Sequence, residues 1–350
     1  MPPLVDTLRH WEIEGWQEDG LLLYRDTTVM VSHLADHLRR AGVVLTNLAD
    51  VPTAQQPTET AGDPPGTHGA FVYVPRSVTV ERPLRIAHVS TTGKMLAPKT
   101  VVVLEPESEA TVIEETIAEP TQHAPTVPTA VRLFVRTGAR LRYYYLQNWG
   151  RQTDHTYAQT AQVEQDGHLL SLLATLGSRV TRASVETKLV GPGAHSDLYG
   201  VAFGDTQQRF EYHTLQDHVV GRTTSDLLYK TALEDQAASR YTGLIRIARD
   251  AQKTDAYQAN RNLLLSQQAK ADSIPMLEIL ADDVRCTHGA TVGPVDPEQS
   301  FYLMSRGLPF PTAEQMIVEG FFEQVLQKLP SVGLRERLHA HIERKLRGHA

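Results

Sequence analysis

The passages GARLRYYYLQN (Gly138–Asn148), GHLLSLLAT (Gly167–Thr175), GAHSDLYGV (Gly193–Val201) and GRTTSDLLY (Gly221–Tyr229) each place a glycine turn before a run of β-forming residues. The four glycines are separated by 29, 26 and 28 residues. Another turn-and-strand unit opens at Glu107–Ser108, and the polar turn ARDAQKTD starts at Ala248, 27 residues beyond Gly221. A β-sandwich turns every 8–12 residues or so and gives no reason for likeness at a longer interval. A period in the high twenties, with several short strands per repeat, fits a solenoid, whose coils must stack because one coil alone cannot bury its inner face. The preceding text agrees: AFVYV, SVTV, LRIAHV, TVVVL, ATVIEETI and VRLFV follow from Ala70, rich in valine, isoleucine and threonine and without helical periodicity. The expected fold is mainly β, a parallel β-helix over 67–307 flanked by N-terminal and C-terminal α-helical segments.

Upstream, residues 1 to about 50 read as helical. Val31, Leu34 and Leu38 in VSHLADHLRR have helical spacing, and Gly42 is a natural stop. His33 and His37 stand four residues apart, a spacing that can bind zinc on a helix. No acidic ligand motif adjoins them, and a solvated helix face is the simpler reading. VPTAQQPTETAGDPPGTHG (Val51–Gly69) has the composition of a linker. Residues 1–66 are thus expected to form a helical region and linker.

Downstream, 308–350 reads as helical again. Thr312 is the expected N-cap, with Gln315 in the capping-box position. Ala313, Met316, Ile317, Gly320, Phe321 and Val325 give one apolar stripe before Pro330 ends the helix. A second helix follows, with Leu334, Leu338, Ile342 and Leu346 on one face, several arginines and lysines around it, and Gly348 at its end. Such a basic amphipathic pair serves either as a cover for the solenoid or as a docking surface for a protein partner.

Composition narrows the function. Hydrophobic residues at 41% and charged residues at 21% are ordinary for a globular chain of 350 residues. A net charge of -7 argues against a dedicated nucleic-acid binder. No apolar run approaches the length of a membrane span. MPPLVDTLRHWEIEGWQ lacks the charged and apolar regions of a signal peptide, and a single cysteine makes no intrachain disulfide, so a cytoplasmic location is expected. There is no G-x-x-x-x-G-K-[ST], so the chain itself does not hydrolyse ATP through a P-loop. Cys-x-x-Cys, His-Glu-x-x-His and the Rossmann glycine fingerprint are also missing.

The lone thiol, Cys286, falls within SIPMLEILADDVRCTHGATVGPVDPEQSFYLMSRG (Ser273–Gly307). His288 follows two residues later, so on a strand both project from one face. Thiolate and imidazole are ligands for soft and borderline metals. The bland alternative is a small buried side chain beside a hydrogen-bonded histidine. Arg285 would point the other way. Asp282 and Asp283 are possible oxygen ligands for ferrous iron, or simply turn residues; Glu278 and Glu314 are less specific still. A [2Fe–2S] or [4Fe–4S] cluster normally takes four thiolates or mixed cysteine and histidine ligands. One thiol cannot supply that, so a cluster held here needs ligands from two chains.

DDVRCTHGATVG, FYLMSRG and VEGFF, with AQKTDAYQANRNLLLS and SIPMLEI before them, resemble the C-terminal core of the SufB/SufD family, scaffold subunits of the SUF iron–sulfur cluster assembly system. The resemblance is continuous from about Tyr241 to Phe322. CTHGATVG is more similar to the SufD branch than to the SufB branch, which carries a Glu-His-Glu-Ala stretch at this point. The resemblance implies a right-handed β-helix and a non-enzymatic scaffold that pairs with a second SufB/SufD-type subunit. It implies that Cys286 and His288 lie near the contact between subunits where a transient Fe–S cluster, or iron, is assembled. It also implies an ABC-type ATPase, SufC, docked on the C-terminal helices, and a link to reduced flavin for which no signature is visible. Two departures stand out: the chain is short for the family before the solenoid, and Ala70 to Asp217 matches in strand character rather than motif. Two other readings compete. A β-helix carbohydrate-active enzyme would need convergent carboxylates and secretion; a purely structural interaction protein would keep Cys286 buried and inert.

Overall fold

The computed structural model describes residues 18–51, 68–118, 126–330 and 332–346. Most of the expected linker, and Gly348, lie outside them. Nineteen strands occur in this described part: β1 (Gly20–Arg25), β2 (Thr28–Leu34), β3 (Val44–Asn47), β4 (Gly69–Val74), β5 (Leu84–Ser90), β6 (Lys99–Leu104), β7 (Glu109–Ala118), β8 (Thr126–Val135), β9 (Arg140–Asn148), β10 (Asp154–Val163), β11 (His168–Thr175), β12 (Val180–Leu189), β13 (His195–Gly204), β14 (Arg209–His218), β15 (Thr224–Leu233), β16 (Ala238–Ile247), β17 (Asp255–Leu264), β18 (Lys270–Ile279) and β19 (Arg285–Pro294). The helices are α1 (Asp36–Arg40), α2 (Pro297–Ser305), α3 (Phe310–Leu326) and α4 (Val332–Leu346).

From β4 onward, successive strands alternate between two sheets. One runs β19-β17-β15-β13-β11-β9-β7-β5-β1-β2, the other β18-β16-β14-β12-β10-β8-β6-β4-β3. Every paired neighbour is parallel except β1 with β2 and β3 with β4, which are antiparallel. This is the β-solenoid that the turn spacing predicts, at two long strands per coil. Registers run unbroken through the stack: Leu169 lies opposite Ser196, Ser196 opposite Ser225, Ser225 opposite Ala256, and Ala256 opposite Cys286.

The period has a backbone cause. At one corner, Glu107, Gly138, Asp166, Gly193, Arg222 and Lys253 all take positive φ, at 64, 68, 55, 77, 60 and 61° respectively. Each donates its N–H to a carbonyl of the next coil: Glu107 to Thr137, Gly138 to Gln165, Asp166 to Pro192, Gly193 to Arg222, Arg222 to Gln252, and Lys253 to Asp283. A left-handed residue turns the chain sharply, and stacking such residues lets each corner satisfy the polar groups of its neighbour. Glycine marks only part of this ladder. Gly167 and Gly221 stand one residue away from it.

Side chains alternate between a filled lumen and the outer faces. The lumen core includes Leu141, Leu169, Leu198, Leu227, Tyr157 and Tyr241. Its N-terminal end is closed by Leu34, Leu38 and Leu45 from β2, α1 and β3. A second core lies outside, where Val318, Phe322, Leu334, Leu338 and Ile342 of α3 and α4 cover Tyr144, Leu172, Tyr199, Phe203 and Leu228. The apolar stripe of α4 is therefore spent on the solenoid, not offered to a partner. Lys345 is buried with it, donating to the Phe203 carbonyl and, over 2.7 Å, to Gln208 Oε1.

Four local expectations are corrected. Among the described residues before 50, the chain is mainly strand, with a β-hairpin of β1 and β2 and α-helix only in α1: Gly20–Arg25 is a short, largely buried apolar run rather than a helical stripe, and Asp26, at φ 53°, makes the turn. His33 consequently sits on β2 and His37 on α1, so the helical zinc spacing does not exist. Residues Pro297–Ser305, placed within the solenoid by the sequence reading, form α2, capped by Asp296. Finally, α3 begins at Phe310 with Pro309 as N-cap, leaving Thr312 inside the first turn; its buried face is Ala313, Val318, Phe322, Val325 and Leu326, while Met316 is exposed.

Candidate functional site

The C-terminal end of the solenoid is open. Ile245 and Ile247 on β16 face the lumen and are fully buried, yet the residues opposite them on β18, Leu277 and Ile279, are 37% and 38% exposed. Among the described residues, nothing stacks above the last coil there. Ile274, Met276, Leu280 and Val292 are exposed around the same rim. Strands β18 and β19 are the outer members of their sheets, so each offers an unpaired edge of N–H and C=O groups.

Cys286 and His288 lie on this terminal coil. Both are on the same face of β19, opposite Ala256 and Gln258 of β17. That face continues the lumen columns of Ser196 and Leu198. Cys286 is half-buried and packs with Ile245, Ile247, Ala256 and Ala281, whereas His288 is exposed. Burial pushes the Cys286 thiol up to about 11, and the Asp255 carboxylate adds to the shift. At neutral pH the group is a protonated thiol; a metal or a neighbouring cation has to displace its proton before it can ligate. Arg285 points away, as alternation requires, and pairs with Asp255 at 3.5 Å.

Asp282 and Asp283 are exposed in the turn before β19. Asp283 has a structural role: its carbonyl accepts from Lys253 N at 2.6 Å, and its N–H donates to Gln252 Oε1 at 2.8 Å. Glu278 is exposed on β18, and Glu314 is half-buried on α3 with its carboxyl raised by desolvation. The fold does not gather these acids around the thiol. Among the described residues, Cys286 and His288 form no group of three or more metal-ligating side chains.

One such group does form elsewhere, and it is not apparent from spacing in the sequence. His168, His195 and Asp197 come together on the outer face of β11 and β13. His168 follows Gly167 and His195 follows Ala194, one coil apart and directly opposite each other. Only the 27-residue register brings them into contact.

Residues 87–321 match the family described as SUF system FeS cluster assembly, SufBD core domain. The chain is a member of this SufB/SufD family. Within it, the likeness is to SufD: the chain is 31% identical to the SufD iron–sulfur cluster assembly protein of Bacillus subtilis over 281 residues, covering 80% of this chain and 64% of the relative. With Escherichia coli SufD it shares 33% over 244 residues, 69% of this chain and 57% of the relative. A SufBD family protein of Mycobacterium leprae is 37% identical over 224 residues, 62% of this chain and 57% of the relative. The matched part therefore spans less than two thirds of each relative's length. No helix among the described residues is long and apolar enough to cross a membrane.

Proposed function

We propose that this chain is a cytoplasmic scaffold subunit for iron–sulfur cluster assembly, pairing through its open solenoid end with a second SufB/SufD-type subunit. The observation that carries the reading is the exposed terminal coil: two free strand edges, lumen side chains left uncovered, and the lone thiol on that coil. A partner stacked there would bury Leu277 and Ile279 and bring its own ligands to Cys286 and His288. The cluster is cargo, and a site with one thiol per chain holds it weakly enough to release it. The chain itself is not the ATPase. Reduced flavin enters only through the family and has no residues assigned to it.

The ATPase, a SufC-type subunit, docks on the helical cover. Because the stripe of α4 is buried, its surface is the exposed apolar patch of α2 and the start of α3: Phe301, Tyr302, Met304, Phe310 and Met316. Deleting all the helices would strip the outer core, so point substitutions are the better probe. Co-expression with SufB- and SufC-type partners, followed by light scattering and anaerobic iron and sulfide analysis, tests the proposal. Met276→Arg with Leu280→Asp should abolish subunit pairing, and Phe301→Asp with Met316→Asp should abolish ATPase capture. A chain that remains monomeric with both partners present would overturn the reading.

A further inference from the structure

His168, His195 and Asp197 stand apart from the proposed cluster seam. They face outward from β11 and β13, whereas Cys286 and His288 follow the lumen face of β19. In the sheet, β13 is three strands in from β19, about 14 Å at ordinary strand spacing. His168 Nε2 is 2.9 Å from Asp197 Oδ2, and His195 Nε2 is 3.2 Å from Asp197 Oδ1. The two imidazole rings meet edge to face with centroids 4.4 Å apart. Hydrogen bonds from both histidines outweigh the effect of burial and hold the Asp197 carboxyl below the usual range.

We propose that His168, His195 and Asp197 form a site for a divalent first-row transition ion, such as zinc or ferrous iron, separate from the cluster seam. All three donor atoms lie within 4.8 Å of one another. A tetrahedral ion with bonds of about 2.1 Å sets its ligands about 3.4 Å apart, so the two histidine–carboxylate separations, 2.9 and 3.2 Å, need only a small adjustment. Two imidazoles and one carboxylate are a donor set for borderline ions, not for calcium or magnesium, which take oxygen ligands. The side chains of His168 and His195 are 40% and 35% exposed, so solvent reaches the site and can complete the coordination. Three protein ligands with open positions describe an ion that can exchange or bind a further ligand. Asp226, directly opposite Asp197 on β15, places a second carboxylate beside the site. Stacked strands hold these ligands in register, which pre-organises the site before any ion arrives.

The alternative is a His–Asp–His hydrogen-bonded tie between coils. Cobalt(II) distinguishes the two. The full chain carrying Cys286→Ser and His288→Ala, cleared of metal with a chelator, should bind one cobalt per chain at micromolar concentration with ligand-field absorption. Adding His195→Gln or Asp197→Asn should weaken binding about tenfold to a hundredfold. Unchanged affinity, or no binding at micromolar cobalt, overturns the proposal. Should a variant fail to fold, proton NMR of the parent chain decides: cobalt must shift the ring signals of His168 and His195. Binding that leaves those signals in place overturns it equally.

Discussion

Arg337 on α4 donates from Nη2 to Glu115 Oε2 on β7 over 2.9 Å, across 222 residues of sequence. The other carboxylate oxygen, Oε1, accepts from Arg85 on β5 at 2.9 Å. The carboxylate is buried and clamped between two guanidinium groups, one from the solenoid and one from its helical cover. Burial alone would raise its pKa, but Arg85 and Arg337 outweigh that and hold it below the usual carboxylate range.

Replacing Glu115 by Gln keeps the shape and removes the charge, leaving two cations facing a neutral amide. Loss of one partner of a buried ion pair costs about 3–5 kcal/mol, so Glu115→Gln should lower stability by that order in urea unfolding. The pH sign follows from the depressed native pKa. The contribution is present above the unfolded value of 4.5 and is lost as pH falls through the lower folded value. Arg337→Met should loosen the helices specifically, read as faster amide exchange in α3 and α4 while the solenoid strands stay protected. Equal exchange in parent and variant would show that the clamp does not hold the cover.

The solenoid was legible because its period is written into the chain, although the glycines are an imperfect marker of it. The physical repeat is a left-handed corner residue, and aspartate, arginine, lysine and glutamate occupy four of the six rungs described above. Cys286 and His288 were legible as a pair because strand alternation needs no tertiary knowledge. That the thiol is protonated was not, since its desolvation comes from Ile245, Ile247 and Ala256 on earlier coils. The N-terminal hairpin was misread because the spacing of Val31, Leu34 and Leu38 fits a helix; Leu34 and Leu38 reach the lumen core, one from a strand and one from a helix, while Val31 packs on a separate cluster with Leu21 and Leu23.

The corner ladder predicts opposite signs for two substitutions. At Gly193, φ is 77° and an added Cβ would collide with Asp166 Oδ1. Gly193→Ala should destabilise by about 1–2 kcal/mol from the left-handed backbone alone, plus the displacement of Asp166. Arg222 carries a similar backbone at φ 60°. Arg222→Gly removes that strain at an entropic cost of about 0.5–1 kcal/mol, leaving a net gain of up to about 1 kcal/mol. Thermal melts of the two variants should move in opposite directions. A fall in both would mean that the Arg222 side chain stabilises the corner more than its backbone strains it.

Acid should unfold the chain through its lumen histidines. His155 is fully buried, its Nε2 3.2 Å from Thr129 Oγ1, and desolvation pushes its pKa down to about 3. His218 is lowered to about 4 for the same principal reason. Below the ordinary value of 6.5 the unfolded chain takes up protons that the native lumen refuses. Stability therefore falls as pH drops from 6.5 toward the folded values, by up to about 1.4 kcal/mol per pH unit for each such histidine. His155→Gln should make the pH dependence between 6 and 4 shallower by about one proton in urea titrations. An unchanged slope would mean that His155 is protonated in the native lumen.

Cys286 should react slowly as long as the solenoid end is free. With the thiol at about 11, its thiolate fraction at neutral pH is roughly three-hundredfold below that of an ordinary cysteine near 8.5. Alkylation by iodoacetamide should be correspondingly slow and should accelerate with pH up to about 11. Asp255 contributes to the shift, so Asp255→Asn should move the rate profile to lower pH while leaving Cys286 in place. Because a ligating sulfur must lose its proton, iron capture at the seam should release acid and tighten as pH rises. The measurement is alkylation of the co-purified pair with and without anaerobic ferrous iron and sulfide. Loading should protect Cys286 in the pair but not in the isolated chain. Equal labelling in loaded and empty pairs would remove the thiol from the assembly site and leave it as a packing residue of the last coil.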